Sequence, residues 1–302
     1  MKCFKIIHPN LGTINYLYIL KDGRLAVCLE SGFLNIYNPR EDFSLEICFQ
    51  IHKKEISHII QLSNSNIVTC SWDSTIKIIE LENEKYKIIQ SLEEHDSYID
   101  KVINPFENLL ISISEDQFFK TWELDSITNK YYCTNTIRFQ QIHSYCNIIQ
   151  IQKYEFITSS VSERKIKFWD LRNLTEIKVI ENISTNWSSQ NMILINENLL
   201  MIGGSNFEGF YIINIKTRQL MLTIRGPSRV YSIIKNKNGN FISGLINGDG
   251  IPSIQIFKFD ADLINIISEE KKAHNDKILS IVQFDNGIVV SGSEDNLIKF
   301  WK

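Results

Sequence analysis

The hydrophobic positions of this chain fall in short runs that end at polar turn residues. Representative runs are 99–103, 109–114 and 118–122, which are rich in isoleucine and phenylalanine and are separated by asparagine, aspartate, glutamate and serine. Runs of this length and composition predict β-strands joined by hairpin turns. No window of about 11–18 residues carries a sustained helical stripe, so the pattern predicts almost no helix.

The strand runs repeat with a nearly constant period. Successive segments close on a bulky apolar residue at spacings of 42, 43, 47, 44, 44 and 44 residues. A fixed period in the low forties predicts stacked blades that bury their sheet faces against one another. We therefore expect an all-β, seven-bladed β-propeller of four-stranded antiparallel blades, spanning residues 1–302 as one domain. The closing residues are Tyr37, Ile79, Trp122, Trp169, Ile213, Phe257 and Trp301.

A set of polar residues keeps the same spacing in four segments. A histidine lies 26 or 27 residues before the closing residue, an acid lies six before it, and a hydroxyl residue lies four before the acid. Hydrogen bonds from indole through hydroxyl and imidazole to carboxylate would satisfy these buried groups together. The predicted structural tetrads are His52, Thr69 and Asp73 (with Ile79 in the tryptophan position); His95, Ser112, Asp116 and Trp122; His143, Ser159, Glu163 and Trp169; and His274, Ser291, Asp295 and Trp301.

These motifs carry a family resemblance. The run from Ser291 to Trp301 reads Ser-Gly-Ser-Glu-Asp-Asn-Leu-Ile-Lys-Phe-Trp, and the run from Ile166 to Arg172 reads Ile-Lys-Phe-Trp-Asp-Leu-Arg. This pattern resembles the WD-repeat (G-beta type) β-propeller family, although the first, fifth and sixth segments lack the tetrad. The last segment stops at Trp301 without an outer strand. The resemblance implies that residues 2–7 supply that strand and close the ring.

Composition narrows the classes of function. The net charge is −3 and the pI is about 6.1, so the chain lacks the basic surplus of a non-specific nucleic-acid binder. The six cysteines form no Cys-x-x-Cys pair, which predicts free thiols in a reducing compartment, the cytoplasm or alternatively the nucleus. A secretory leader and an 18-residue apolar stretch are missing from the sequence, so we expect no membrane partner. We also expect no metal, no cofactor and no catalytic residue.

Candidate binding residues come from the loop tips, where propellers carry function. Aligning the repeats places two kinds of position on one mouth of the central channel: the residue before each inner strand and the residue beside each tetrad acid. Tyrosine, tryptophan and arginine dominate binding hot spots. The predicted partner-binding residues are Trp72, Tyr98, Tyr145, Trp187, Arg229 and Lys277.

The resemblance and this surface together predict a non-enzymatic scaffold or adaptor that binds proteins or peptides, as a monomeric propeller within a hetero-complex. One alternative is a substrate receptor of a cullin–RING ubiquitin ligase, because Trp-Asp-x-Arg resembles that group's box; Asp170 and Arg172 would then dock the adaptor on the opposite face. Another is a histone-tail reader with an aromatic cage for methyl-lysine. An enzyme would need carboxylates or metal ligands converging on the channel, and the repeats predict no such cluster.

Overall fold

The computed structural model describes residues 1–82, 85–140, 144–185, 188, 190–205, 209–226, 228–260 and 263–302. These residues form 28 strands and one short 3-10 helix, Pro39–Glu41. The strands are rich in isoleucine, valine and phenylalanine, as β-branched and aromatic side chains suit a pleated, half-buried surface. The prediction of almost no helix is therefore confirmed for the described residues.

The strands make seven four-stranded antiparallel sheets, here called blades one to seven. In six blades the strands follow chain order from the inside outward, and blade seven takes its outer strand from the amino terminus. The blades are β2 (Ile14–Ile19), β3 (Leu25–Leu29), β4 (Phe33–Asn38) and β5 (Ser44–Gln50); β6 (Ile56–Gln61), β7 (Ile67–Ser71), β8 (Ile76–Glu82) and β9 (Lys85–Leu92); β10 (Ile99–Phe106), β11 (Leu109–Ser114), β12 (Phe118–Asp125) and β13 (Lys130–Arg138); β14 (Cys146–Gln152), β15 (Glu155–Ser160), β16 (Lys165–Asp170) and β17 (Thr175–Ile180); β18 (Met192–Asn196), β19 (Leu199–Gly203), β20 (Phe210–Asn214) and β21 (Gln219–Ile224); β22 (Arg229–Lys235), β23 (Phe241–Ile246), β24 (Pro252–Asp260) and β25 (Leu263–Lys271); and β26 (Ile278–Gln283), β27 (Val289–Ser293), β28 (Ile298–Trp301) and β1 (Cys3–Ile7).

The blades close into a ring. Each inner strand packs against the inner strands of both neighbouring blades, and the circuit returns from β26 to β2. The chain ends join in blade seven, where β1 pairs with β28 and Cys3 lies opposite Trp301. Two further backbone hydrogen bonds extend this pairing, from Lys2 N–H to the Lys302 carbonyl (2.7 Å) and from Lys302 N–H to the Lys2 carbonyl (3.1 Å). The predicted seven-bladed propeller and its closure by the amino-terminal strand are confirmed.

The apolar core lies between the blades. Seven clusters of buried side chains each join two neighbouring sheets around the ring. In the cluster between blades three and four, the ring of Phe119 meets Phe156 at 5.3 Å and Trp169 at 5.0 Å, both edge-to-face. Aromatic pairs prefer this geometry. Each blade thus depends on its neighbours to bury its faces.

A β-bulge near the start of most inner strands positions the channel lining. The register shifts directly after the first residue of the ladder, for example between Ile14 and Tyr16 and between Ile99 and Lys101. A bulge leaves one residue outside the ladder and re-aims its side chain. The skipped residues include Asn15, Ser57, Asp100 and Leu279, and these four line one cavity in the channel.

Two residues that precede the inner strand of blade five, Ser188 and Gln190, form hydrogen bonds with neighbouring blades. The side-chain amide of Gln190 exchanges two hydrogen bonds with the backbone of Ile281 in blade seven, at 2.9 and 2.8 Å. The Gln190 carbonyl accepts from Ile233 N–H of blade six at 2.9 Å. The hydroxyl of Ser188 donates to the Leu279 carbonyl at 3.3 Å. These contacts hold Ser188 in the lining of the channel cavity. Blade five thus positions a channel residue although it has no tetrad.

Removal of the closing strand tests the ring. Deleting residues 1–7 strips β1 from β28 and exposes an unpaired strand edge. We expect a sharply lower melting temperature and aggregation on heating, followed by circular dichroism and light scattering. As a control, Phe4→Ser with Ile6→Ser keeps the backbone ladder, and both side chains are already about half exposed, so that double variant stays close to the parent. A deletion variant that melts like the parent would contradict closure by β1.

Candidate functional site

Two complete tetrads lie in blades three and seven. In blade seven, the Trp301 indole donates to Ser291 Oγ (2.9 Å), Ser291 Oγ lies 2.7 Å from His274 Nε2, and His274 Nδ1 lies 2.9 Å from the Asp295 carboxylate. Blade three repeats the chain at 2.9, 2.7 and 2.6 Å. One tautomer satisfies every step: the serine hydroxyl donates to Nε2 and Nδ1–H donates to the carboxylate.

Blade two carries the same chain without the indole. His52 Nε2 lies 2.9 Å from Thr69 Oγ1, and its Nδ1 lies 3.0 Å from Asp73. Ile79 fills the tryptophan position and is fully buried. The Asp73 carboxylate also accepts the backbone N–H of Lys53 at 2.9 Å. The network therefore links the loop before the blade to the hairpin within it, with or without tryptophan.

Burial and hydrogen bonding set the charge states of these networks. Burial lowers the pKa of His52, His95 and His274, against the raising effect of the adjacent carboxylate. The pKa of Asp295 lies below its usual value: burial acts to raise it, but hydrogen bonds from His274 and from backbone N–H groups lower it by more. At neutral pH the network is thus a neutral imidazole hydrogen-bonded to a carboxylate, and it ties the entry loop to the hairpin.

Blade four departs from the predicted tetrad. The Trp169 indole donates to Thr158 Oγ1 at 2.9 Å, although counting along the sequence pointed to Ser159. Its hairpin is one residue longer than those of blades two, three and seven, so Thr158 lies opposite Lys167 as Ser291 lies opposite Lys299. The predicted His143 lies outside the described residues. The Glu163 N–H bonds weakly to the Ser160 hydroxyl at 3.4 Å.

The same backbone hydrogen bond recurs in several blades at the upper mouth of the channel, which is the end where the inner strands begin. The residue beside the hairpin acid donates its N–H to the carbonyl of the residue before the inner strand. Trp72 bonds in this way to Glu55 (3.0 Å) and Glu115 to Tyr98 (2.9 Å). The pairs Glu30–Thr13, Val161–Tyr145 and Glu294–Lys277 repeat the contact at 3.0–3.1 Å. The alignment that grouped these positions at one mouth therefore matches their placement.

Three predicted aromatic residues come together at this mouth. The rings of Trp72 and Tyr98 stack in parallel, with centroids 4.9 Å apart and planes 5° apart. The ring centroid of Tyr145 lies 5.7 Å from that of Trp72, with the two ring planes tilted by 48°. The ammonium of Lys54 lies 5.0 Å above the Tyr98 ring. All three rings are partly exposed, so they form a shelf that a partner can contact.

The other predicted mouth residues take separate positions. Arg229 begins β22 on blade six and is partly exposed. The Lys277 ammonium forms an ion pair with Glu294 at 2.7 Å. Trp187 lies outside the described residues. The structure therefore brings together the rings of blades two, three and four, and places Arg229 and Lys277 across the channel from them.

Below the aromatic shelf lies a small acidic cavity of about 30 Å³. Asp100, only 5% exposed, accepts the N–H of Cys146 (2.8 Å) and its thiol (3.0 Å). Burial raises the pKa of Asp100 well above its usual value, and Glu115 adds to the effect. Burial also raises the pKa of Glu55 to about 8, reinforced by Glu30, Asp100 and Glu294. The prediction that no carboxylates converge on the channel was wrong.

The repeat spacing holds a signal that could have found this cavity. Counting 22 residues back from the closing residues Tyr37, Ile79, Trp122 and Trp301 reaches Asn15, Ser57, Asp100 and Leu279. These are the bulge positions that line the cavity. The sequence analysis aligned the loops and the tetrads but not this inner-strand position. It therefore missed a position of the repeat whose side chains line the channel.

Asp170 and Arg172, at the foot of β16, point to the opposite face. The Arg172 guanidinium donates two hydrogen bonds to the Asp170 carboxylate, at 3.0 and 2.6 Å. These bonds lower the pKa of Asp170 to about 2. Arg172 is 66% exposed and its guanidinium lies 5.6 Å from the centre of the Tyr154 ring. The two residues thus satisfy each other locally and remain reachable from solvent.

Over the part of the chain that the structure describes, no three histidine, cysteine, aspartate or glutamate side chains group as metal ligands. Nor does any helix within those residues have the length and apolarity to cross a membrane. All six cysteines are free thiols. The described part of the upper mouth offers aromatic surface and carboxylates.

Comparison with known proteins agrees with the fold. Residues 44–80 and 267–302, which contain the networks of blades two and seven, match the family model described as WD domain, G-beta repeat. A 122-residue stretch is 25% identical to the Ribosome biogenesis protein WDR12 homolog of Anopheles gambiae. That alignment covers 40% of this chain and 28% of the relative. The family-model matches and the seven-bladed fold thus bear out the resemblance drawn from the sequence.

The tetrads predict a loss of stability without a loss of binding. His274→Ala strands the Ser291 hydroxyl and the Asp295 carboxylate in a buried site, so we expect the free energy of unfolding to fall by about 1–3 kcal/mol. Denaturant melts measure this change. The exposed His8 is the matched control, and His8→Ala should leave the melt unchanged. An equally stable His274→Ala protein that no longer binds its partner would make His274 a functional residue.

The acidic cavity predicts a pH-dependent penalty. Because the pKa of Glu55 is raised in the folded chain to about 8, its stabilising contribution is complete below the unfolded pKa of about 4.3 and is lost as pH rises through about 8. Glu55→Gln removes this loss. We expect the variant to gain melting temperature over the parent at about pH 8.5 but not at about pH 5. Exposed Glu197→Gln is the control; a flat difference between Glu55→Gln and the parent would contradict the assignment.

Proposed function

We propose that this chain, a β-propeller of the WD-repeat family, is a non-enzymatic scaffold or adaptor subunit that binds a protein or peptide at the upper mouth of its channel. WD-repeat propellers generally bind other proteins. Partners should be proteins or peptides rather than nucleic acid or membrane. The chain is expected to act as a single propeller within a hetero-complex.

The observation that carries this proposal is the aromatic shelf of Trp72, Tyr98 and Tyr145 above the acidic cavity. Large rings that remain partly exposed supply contact area at low entropic cost, and such residues concentrate binding energy. The tetrads account separately for the buried His52, His95 and His274. The mouth therefore holds recognition residues that folding alone does not require.

The small size of the cavity supports binding over catalysis. Two carboxylates, Glu55 and Asp100, would be a familiar pair for acid–base chemistry, but a reacting bond must fit between them. A volume of about 30 Å³ corresponds to one water molecule's share of the liquid. The cavity thus admits the tip of one side chain, while the rest of the partner lies on the shelf.

The methyl-lysine alternative fits the ring geometry poorly. An aromatic cage needs several ring faces turned toward the same cation. Trp72 and Tyr98 instead turn their faces toward each other, and Lys54 lies over Tyr98. Recognition of a quaternary cation would require the stack to open.

The matched relative and the free cysteine thiols suggest in which assembly and compartment the chain works. The relative of which 28% is matched is named as a ribosome biogenesis protein, which supports a place for this chain in a multiprotein assembly. Six free thiols are typical of a reducing compartment. We accordingly expect the chain to work in the cytoplasm, with the nucleus as the alternative.

Substitution at the mouth tests the binding surface. Tyr98→Ala with Arg229→Ala removes two hot-spot side chains from opposite sides of the channel. We expect the melting temperature to stay within a few degrees, because changes at partly exposed loop positions cost little. The principal partner, recovered by affinity purification and mass spectrometry with the parent chain, should bind at least about tenfold more weakly, or about 1.4 kcal/mol.

The matched control lies on the opposite face. Asp170→Ala with Arg172→Ala removes a locally satisfied ion pair of which Arg172 is exposed, so it should leave partner recovery unchanged. The reverse result, loss with the Asp170/Arg172 pair and none with the Tyr98/Arg229 pair, would move binding to the lower face. Co-purification of a cullin adaptor in that case would favour the ubiquitin-ligase receptor.

A further inference from the structure

The lining of the acidic cavity is dominated by hydrogen-bond acceptors. It receives side chains from six blades: the carboxylates of Glu55 and Asp100, the hydroxyls of Ser57 and Ser188, the Asn15 amide, the Tyr145 phenol, and the apolar Trp72 and Leu279. None of the described residues that line it carries a positive charge. A site with this composition favours a ligand that donates hydrogen bonds and carries positive charge.

Asn15 gives an independent sign that a ligand group belongs here. Its side chain is 8% exposed and lines the cavity, yet its Nδ2 forms no hydrogen bond with any described residue. Buried polar groups are almost always paired, and leaving one unpaired costs stability. An amide can turn to present either Nδ2 or Oδ1, since the two are assigned from the surrounding hydrogen bonds. Turned inward, Oδ1 would add a further acceptor to the two carboxylates.

Cations near the cavity are engaged elsewhere. Lys277 pairs with Glu294 at 2.7 Å, and buried Lys101 donates to Asn147 at 2.9 Å. Lys54 lies over the Tyr98 ring. These three lysines therefore give the carboxyls of Glu55 and Asp100 no counter-ion within the cavity, and a partner's cation could take that place.

Size and shape then select among cations. The cavity of about 30 Å³ is large enough for one water-sized group, which matches a primary ammonium head. A guanidinium or trimethylammonium head is larger than a water-sized group, so we expect it to fit less well. We propose that the cavity binds the primary ammonium group of a lysine side chain on the partner, with Glu55, Asp100 and Asn15 as acceptors. This inference rests on the upper mouth being the partner surface.

Binding at this cavity should release protons. Burial, reinforced by neighbouring acids, raises the pKa of both carboxyls, that of Glu55 to about 8, and so favours their protonated forms. An arriving ammonium favours their ionised forms. The groups that act on Glu55 and Asp100 include the acids Glu30, Glu115, Asp116 and Glu294, the thiols of Cys70 and Cys146, and the phenol of Tyr145. All of the acids act in the same direction, so affinity for the cation should increase as pH rises through about 8.

The test uses n-butylammonium as a mimic of the lysine side chain. Binding is followed by the ¹⁵N–¹H indole signal of Trp72, which lines the cavity and is assigned with Trp72→Phe. We expect a saturable shift for n-butylammonium that strengthens from about pH 6.5 to about pH 8.5. Trimethylbutylammonium and 1-butanol should bind at least about tenfold more weakly. Glu55→Gln and Asp100→Asn should each weaken n-butylammonium by the same factor.

Several outcomes would overturn the proposal. It fails if trimethylbutylammonium or 1-butanol binds as well as n-butylammonium, or if affinity is independent of pH. It also fails if potassium chloride produces the same saturable shift, because the cavity would then be a site for a monovalent metal ion. These comparisons use the parent chain, so they stand even if Asp100→Asn, which alters the bonds from Cys146, does not fold.

The two proposals fail separately. If n-butylammonium does not bind but the Tyr98/Arg229 variant loses its partner, the upper mouth is the binding surface and only the lysine assignment is wrong. If n-butylammonium binds as expected but the partner is indifferent to Tyr98 and Arg229, the cavity holds an ammonium group and the proposed partner surface is wrong. A partner peptide whose lysine is replaced by norleucine gives the same separation in the assembled complex.

Discussion

The apolar faces of the blades impose the constraint on which the rest of this structure depends. A four-stranded sheet cannot bury two apolar faces by itself, so each blade relies on the cluster it shares with each neighbour. That requirement makes the ring indivisible, and the hydrogen bonds between Lys2 and Lys302 complete it. A closed ring also brings seven inner strands around one axis. The channel, and every residue that faces it, is a consequence of this packing.

Polar networks refine the ring without defining it. The histidine networks of blades two, three and seven tie an entry loop to a hairpin in the same blade. Blades one, five and six lack them in the sequence and nonetheless form four-stranded sheets. Gln190 instead bridges blades five, six and seven through its backbone and side-chain amide. Hydrophobic burial therefore sets the architecture, and hydrogen bonds fix the loops that carry the mouth.

At the upper mouth, equivalent positions of several repeats bring acidic side chains close together. One position beside each hairpin acid and one before each inner strand recur around the ring, and several of them are glutamates. Glu30, Glu55, Glu115 and Glu294 arrive on different blades, and Asp100 joins them from an inner-strand bulge. No pair of these residues is close in the sequence. Burial, reinforced by the neighbouring acids, makes ionisation of Glu55 and Asp100 costly, and a positively charged group at the mouth would relieve that cost.

The sequence by itself determined what is local to one repeat: seven blades, their strand order, and the tetrads wherever the hairpin keeps a constant length. It misplaced the hydroxyl of blade four, where one extra residue makes Thr158 rather than Ser159 the partner of Trp169. Only the tertiary structure decided that Trp72 stacks on Tyr98 and that Asn15, Glu55 and Asp100 share a cavity. The spacing and hydrogen bonds within a hairpin depend on residues that are near one another in the sequence. The electrostatic field inside the channel depends instead on residues from several blades, which come together only when the ring closes.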